Sequence, residues 1–593
     1  MWSSPAIPGL AIGLLAALAS VASLVNGFVY DDRPLILDNP RLHHLTHFAR
    51  LWGETYWPPW MGAGLYRPLT MSAFAVQWQI GRGAPWAFHA ANMALYVTIA
   101  LLMYGLAREL LSGAAAWIAA ALFAVHPVHV EAVGNVVGQS ELWAACGVLA
   151  AVVSFVTWRR SAVASLEGRA GSSSGWPRPL DPLARQMRAE SVGGLSHQAL
   201  LVLFIAGACF AKEHAVVAPL LLVAAELTIV GDPRPARQRW CALRPLALLL
   251  MAVVLAFVVV RMHVIGALAG DRPNVVLEHL SPPAQRWTML GVVGEWIRLL
   301  LWPARLVSEY APRDIALHER FDVSLLPSVL VVGLVLVLFV ASVRHWRVAA
   351  FAILWLGATL ALVSNLVVPT GVLLAERTLF LPSVGAMVLV GALVDRVLVR
   401  TSGGRTSPMG SKRALMLAAF VGPLLVAGLW RSADRQGVWR SNATLFAQAP
   451  LDAPLSYRAH DVYAGLLFDQ GDRARGEHEA RVGLALYPHD PLLYRDLAQE
   501  YMRAGLCPAA MPLLRRSIVE QGSMETDAHL LLGECLLALR DPVSARREIV
   551  RGVAAGTYAH YGPGYHKVLI AIDSVVGHDA ATRGPTASGR GAP

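Results

Sequence analysis

The chain has 593 residues, of which 55% are hydrophobic and only 15% charged. A soluble chain carries about a quarter charged residues, so this composition excludes a soluble globular enzyme. The formal net charge of +10 is therefore read by position, as the basic bias of cytoplasmic loops, and no nucleic-acid partner is expected.

Apolar runs near twenty residues long can cross a ~30 Å hydrocarbon core as helices. They predict spans near residues 6–26, 87–107, 113–126, 137–157, 197–211, 215–230, 243–261, 323–343, 348–366, 380–399 and 414–430. The expected fold class is all-α: a polytopic helical membrane protein with about eleven transmembrane helices. The first run lacks a basic flank and exceeds the usual length of a signal-peptide core, so it reads as a retained span.

Phe28-Val29-Tyr30-Asp31-Asp32-Arg33-Pro34 follows that first run. Ionisable groups at the mouth of a span are a functional hypothesis by default. The alternative is that Asp31 and Asp32 only mark where the chain meets water. Arg67, in Leu65-Tyr66-Arg67-Pro68-Leu69, either snorkels to lipid headgroups or holds a phosphate in its guanidinium fork. His126-Pro127-Val128-His129-Val130-Glu131 ends the third run. Two histidines and a carboxylate are metal-ligand types. The proline breaks a regular two-histidine face, so the expectation is orientation of a carboxylate, with no metal. Lys212-Glu213-His214 sits between two short runs, and Glu376-Arg377 repeats that pattern between Leu374 and Leu379.

Arginines fix the orientation. Arg159, Arg160, Arg169, Arg178, Arg185 and Arg188 lie in one connection and Arg234, Arg237, Arg239 and Arg244 in another. Arg344 and Arg347 mark a third, and Arg396, Arg400, Arg405, Lys412 and Arg413 a fourth. These alternate connections are assigned to the cytoplasm, with the N-terminus. The polar clusters, the 262–322 loop and everything after about residue 431 then fall outside, as parts of one extracytoplasmic cavity. Its cations Arg67, Lys212 and Arg377 suit an anionic ligand. Its anions Asp31, Asp32 and Glu131 suit proton abstraction from a hydroxyl.

The segment 159–196, rich in Ser, Gly, Pro and Arg, is expected to be a flexible cytoplasmic loop, and residues 578–593 a disordered end. Residues 1–435 form the membrane domain and 436–577 a second, extracytoplasmic one. In the latter Ala464, Ala498 and Gly533, and likewise Gly476, Ala510 and Ala545, recur with the 34-residue period of a tetratricopeptide repeat. Three such repeats make their own core and offer a concave face to a protein or peptide. Deleting them is expected to leave the membrane part folded. Cys146, Cys209 and Cys241 read as core fillers, and no disulfide is expected between Cys507 and Cys535.

In this order, Asp31-Asp32, Tyr66-Arg67-Pro68-Leu69, His126-Pro127-Val128-His129-x-Glu131, Lys212-Glu213 and Ala375-Glu376-Arg377-Thr378-Leu379-Phe380-Leu381-Pro382-Ser383, followed by repeats, resemble a family. It is that of the TMTC-type (transmembrane and tetratricopeptide repeat) protein O-mannosyltransferases and their bacterial relatives, of GT-C fold. The resemblance implies a glycosyltransferase that moves a sugar, mannose in the family, from a polyprenyl-phosphate donor to a hydroxyl of a protein acceptor, with inversion and without a cofactor. It implies a base within Asp31/Asp32, with Asp32 orienting Asp31 or the acceptor, and lipid-phosphate contacts from Arg67 and Arg377, to which Lys212 is added. His126, His129, Glu131, Glu213 and Glu376 would shape or orient the site. The implied location is a bacterial inner membrane, with periplasmic repeats. One departure is Gln139, where relatives tend to carry Arg. Two other classes are a non-catalytic membrane scaffold, which would tolerate loss of both aspartates, and a lipid-linked carrier, which would need polar residues on both faces.

Overall fold

The computed structural model describes residues 6–61, 64–171, 181–266, 275–366, 370–399, 408–521, 527–555 and 567–573. The expected disordered end at 578–593 and the centre of the 159–196 insert lie outside these residues. Among the described residues the regular elements are helices, with one isolated bridge between Pro312 and Ile315.

All eleven apolar runs are helical, and they differ in length. Among the described residues seven helices are long and apolar enough to cross a membrane: Ile7–Val25, Trp86–Leu110, Val136–Ser165, Ala236–Ile265, Val323–His345, Glu376–Leu398 and Met416–Val438. An eighth is counted if Gly113–Ala124 and Pro127–Gly134, bent by 45°, form one span. The other three runs are Ser196–Ala211, the apolar end of the longer helix Asp181–Ala211, and the shorter helices Ala218–Thr228 and Arg347–Val363. Eleven residues from Ala218 to Thr228 rise only about 16 Å, half of the hydrocarbon core. The first two of these flank Lys212-Glu213-His214, and the bent pair breaks at His126-Pro127. The polar clusters thus sit at breaks between helices.

Two helices were not expected. Pro68–Gly81 starts directly after Arg67, with proline at its first position, where its missing N–H costs nothing. Pro282–Leu301 occupies twenty residues of the 262–322 loop. The helices Gln139–Gly171 and Asp181–Ala211 also run on into the insert, so much of it is helical rather than loop. At that end of the bundle, Arg159 is buried and bonds Glu226 at 3.0 and 3.1 Å and Asp232 at 2.7 Å. One arginine of the basic bias therefore belongs to a buried ion network.

Six helices form three antiparallel pairs: Tyr457–Asp469 with Arg473–Leu486, Pro491–Arg503 with Cys507–Glu520, and Ala528–Ala538 with Pro542–Ala555. Ala464, Ala498, Ala510 and Ala545 are buried where the pairs cross. A Cβ on Gly533 would run into the Ile549 side chain, so the smallest residue is required there. The thiols of Cys507 and Cys535, which the sequence gives no reason to join, lie 2.7 Å apart in the core between the second and third pairs.

The repeats do not stand apart from the membrane domain. The helix Pro408–Val438 runs across the expected boundary at 435/436. One apolar cluster joins Met289, Trp296 and Leu306 of the 262–322 segment and Leu374 and Leu379 to Ala453, Tyr457 and Leu493.

Candidate active site

The loop after the first span is folded by its second aspartate. Asp32 is fully buried. Its carboxylate accepts the backbone N–H of Val29 at 3.0 Å, of Val136 at 3.3 Å and of Val137 at 2.9 Å. Both oxygens are thereby committed to binding the 28–32 loop to the turn at 135–138. That turn is tight: a Cβ on Gly138 would run into the backbone of Ala132. Burial pushes Asp32 up to about 7 while the three N–H donors hold it down. Asp32 therefore braces the loop, an orienting part like the one the family resemblance implies for it beside Asp31.

Asp31 is different. It is half-buried, and its carboxylate accepts no hydrogen bond from any described residue. Burial raises it from 3.8 to about 6, against the pull of the Arg377 guanidinium, with Glu309 and Glu131 adding to the rise and Arg458 opposing it. Tyr30, the residue before it, has a left-handed backbone at φ +53°, a strained conformation for a bulky aromatic residue.

The cations are held by carboxylates. The Arg67 guanidinium grips Glu213 with both arms, Nε to Oε2 at 3.0 Å and Nη2 to Oε1 at 2.6 Å, and lies 5.0 Å over the Tyr56 ring. Arg377 donates to Glu131 twice, from its backbone at 2.8 Å and from Nη1 at 2.7 Å. The Lys212 ammonium pairs with Glu141, which also lies 3.5 Å from His214 Nε2. Arg67 and Lys212 pull the Glu213 carboxyl well below its ordinary range in spite of its burial. Arg377 senses Asp31, Glu131, Glu141 and Arg67, so the three pairs and Asp31 share one field. Three expected phosphate-binding residues therefore converge, each with a carboxylate that fixes its direction.

The remaining expected residues lie behind this layer. His126 accepts from the Val128 N–H at 3.3 Å through Nδ1, and its Nε2–H donates to the Leu300 carbonyl at 3.1 Å. His129 lies between the rings of Phe123 and Phe380, with centroids 4.5 and 4.6 Å away and each ring tilted by 50°. It bonds the Tyr96 hydroxyl at 3.0 Å and Ser383 Oγ at 2.9 Å. Both histidines secure the helix bend that presents Glu131. Glu376 accepts from the Val307 N–H and, at 3.1 Å, from the Tyr310 hydroxyl, which ties down the segment after the helix Pro282–Leu301. Gln139 is fully buried in an amide ladder: Gln77 donates to it at 2.8 Å, and it donates to Asn92 at 2.6 Å. Asn92 in turn bonds the carbonyls of Val133 and Asn135. The departure at Gln139 thus supports the turn that holds Asp32. Among the described residues no group of three or more His, Cys, Asp or Glu is placed to hold a metal ion.

No protein-family model matches the chain. Over 450 residues it is 29% identical to protein O-mannosyl-transferase TMTC3 of Mus musculus, with 72% of this chain and 45% of that one covered. Over 524 residues it is 26% identical to TMTC4 of Homo sapiens, with 78% and 64% covered. The chain is similar to the TMTC-type protein O-mannosyltransferases over most of its length. A stretch of 156 residues is 38% identical to Tmtc2 of Drosophila melanogaster, covering 25% of this chain and 17% of that one. The chain spans about half the length of the TMTC3 proteins it matches. Among solved structures, an archaeal oligosaccharyltransferase, AglB from Archaeoglobus fulgidus in complex with an inhibitory peptide and a dolichol-phosphate, aligns with a TM-score of 0.38. That alignment has 13% identity and covers 74% of this chain and 57% of that one.

Sequence reasoning missed Glu141, Glu309 and Arg458. Glu141 had a signal, since a carboxylate two residues from Gln139 opens an apolar span and needs a cation. Glu309 and Arg458 had none, because they meet only through the packing of the 262–322 segment on the first repeat.

Proposed function

We propose that this chain is an integral membrane glycosyltransferase of GT-C type. It moves a sugar, mannose, from a polyprenyl phosphate to a hydroxyl of a protein or peptide acceptor on the extracytoplasmic face. The observation that carries this reading is the unpartnered Asp31 carboxylate in the field of three carboxylate-held cations.

Asp31 takes the proton of the acceptor hydroxyl as that oxygen attacks the anomeric carbon. The bond from that carbon to the phosphate oxygen breaks, and the lipid phosphate departs as an anion. Arg377, Arg67 and Lys212 stabilise the charge that develops there. Their partners Glu131, Glu213 and Glu141 hold them in place beforehand, so little reorganisation is needed at the moment of transfer. A single displacement inverts the anomeric centre. The proposed location is a bacterial inner membrane, with the N-terminus cytoplasmic and the repeats periplasmic, where they bind the acceptor.

The test is incubation of purified protein with labelled polyprenyl-phosphate mannose and a Ser/Thr peptide, read by mass spectrometry. A hexose on the peptide, absent with Asp31→Asn, is the expected result. A chain that keeps its cellular role with Asp31→Asn and Asp32→Asn together is instead the membrane scaffold.

A further inference from the structure

The sequence casts the repeats as a separable recruiter of acceptors. Their first helix, Tyr457–Asp469, instead ends up against the catalytic loop. Arg458 Nε lies 2.6 Å from Glu309 Oε1. The other oxygen of that carboxylate, Oε2, accepts the Tyr30 hydroxyl at 3.0 Å. The bridge thus runs unbroken from the repeat to the residue before Asp31. Arg458 is itself steadied by Asp490, at 3.5 Å from Nη1, and Asp490 accepts the Tyr457 hydroxyl at 2.9 Å.

A second strap comes from the helix Asn442–Asp452 and the turn before it. Asn442 Oδ1 accepts the Tyr30 N–H at 2.8 Å, and the Tyr30 ring meets Phe446 edge-on at 5.9 Å. The Arg440 carbonyl accepts the Gly27 N–H at 2.9 Å. A left-handed aromatic residue persists only where its surroundings over-determine it. Here the hydroxyl, the ring and the N–H of Tyr30 are each held by residues from outside its own loop.

We infer that the repeat domain is built into the catalytic centre: Arg458, through Glu309 and the left-handed Tyr30, fixes the place and the charge surroundings of Asp31. This rests on Asp31 as the base. Arg458, Glu309 and Tyr30 are positioning residues, which touch neither donor nor acceptor. The charged and titratable groups that face Asp31 are Arg377, Glu131, Glu309, Arg458, Asp32, Tyr30 and Tyr56. Two of them, of opposite sign, belong to the bridge, and that supplies the test.

The experiment is the pH profile of transfer for the full chain and its variants. Transfer falls as pH drops through the titration of Asp31, so the parent has an acid limb near 6. Glu309→Gln removes a like charge and moves the limb to lower pH. Arg458→Gln removes an opposite charge and moves it to higher pH, each by roughly half to one unit. Arg458→Lys leaves the limb in place. Tyr30→Phe lowers kcat by about ten- to a hundredfold with donor KM unchanged, because the phosphate is held elsewhere. A merely structural bridge would lower the rate without moving the limb.

The charge-swapped pair Glu309→Arg/Arg458→Glu keeps the bridge where a single variant does not fold, and it must move the limb down. Superposed limbs, or limbs that move the same way in Glu309→Gln and Arg458→Gln, overturn the inference. An active Asp31→Asn overturns the function reading itself. An inactive Asp31→Asn with superposed limbs overturns this inference alone.

Discussion

Asp31→Asn should damage activity and improve the fold at the same time. The amide keeps the size of the side chain but cannot take a proton, and a general base contributes about 10²–10⁴-fold, or ~3–5 kcal/mol of barrier. The folded protein meanwhile holds Asp31 at about 6, against 3.8 ordinarily. A carboxyl raised on folding contributes stability that is fully present below its unfolded pKa and lost as pH rises through its folded one. Two units correspond to about 3 kcal/mol. Partial exposure of the carboxylate reduces this to ~1–2 kcal/mol. Asn is neutral at every pH, so Asp31→Asn should melt above the parent at pH 7.5, and the gap should close between pH 6 and 4. The assays are transfer from labelled polyprenyl-phosphate mannose and thermal melting in detergent across that range. Transfer within a factor of about three of the parent, well under the general-base range, removes Asp31 as the base. A melting temperature below the parent at pH 7.5 refutes the claim that its carboxylate lacks a partner.

Asp32→Asn should behave oppositely. It turns an acceptor of three backbone N–H groups into a group that also presents N–H of its own, so it should lose about 2–4 kcal/mol of stability together with activity, as a melt of both variants would show. Arg377→Ala should raise donor KM and slow transfer, and it leaves the buried Glu131 carboxylate without its guanidinium, with only the backbone N–H of residue 377 still donating to it, at a cost of up to about 3–5 kcal/mol. Arg377→Lys should restore most of that stability but not the donor affinity, a split that melting and donor titration resolve. Cys507 and Cys535 should be joined in protein taken from cells if the repeats face an oxidising compartment. Peptide mapping without reductant checks this, and persistently free thiols would put the repeats on the other side of the membrane.

What the sequence disclosed was what short-range chemistry dictates. Apolar runs located all eleven helices, and the 34-residue period located three helix pairs. Unusual polar residues at helix ends marked Asp31, Arg67, Glu131, Lys212 and Arg377 as one cluster. The sequence did not disclose helix lengths, because the run at 197–211 ends a helix of 31 residues while the run at 215–230 holds one of eleven. Nor did it disclose pairing. Arg67 and Glu213 are 146 residues apart, and Arg377 and Glu131 are 246 apart, so no local pattern joins them. The physical cause of the difference between Asp31 and Asp32 was equally hidden, since it depends on three N–H groups, two of them from a turn a hundred residues later.

The strap on Tyr30 also sets when the site can exist. Asn442 bonds a residue 412 positions earlier in the chain, and Gln436 bonds Asn26 across 410. At a synthesis rate of ~5–20 residues per second, the loop that carries Asp31 waits about 20–80 s for its partners. During that interval nothing from outside the loop holds Tyr30 in its left-handed conformation. On the function proposed above, sugar transfer should begin only after Asn442 has been made, and the order of synthesis alone would delay activity.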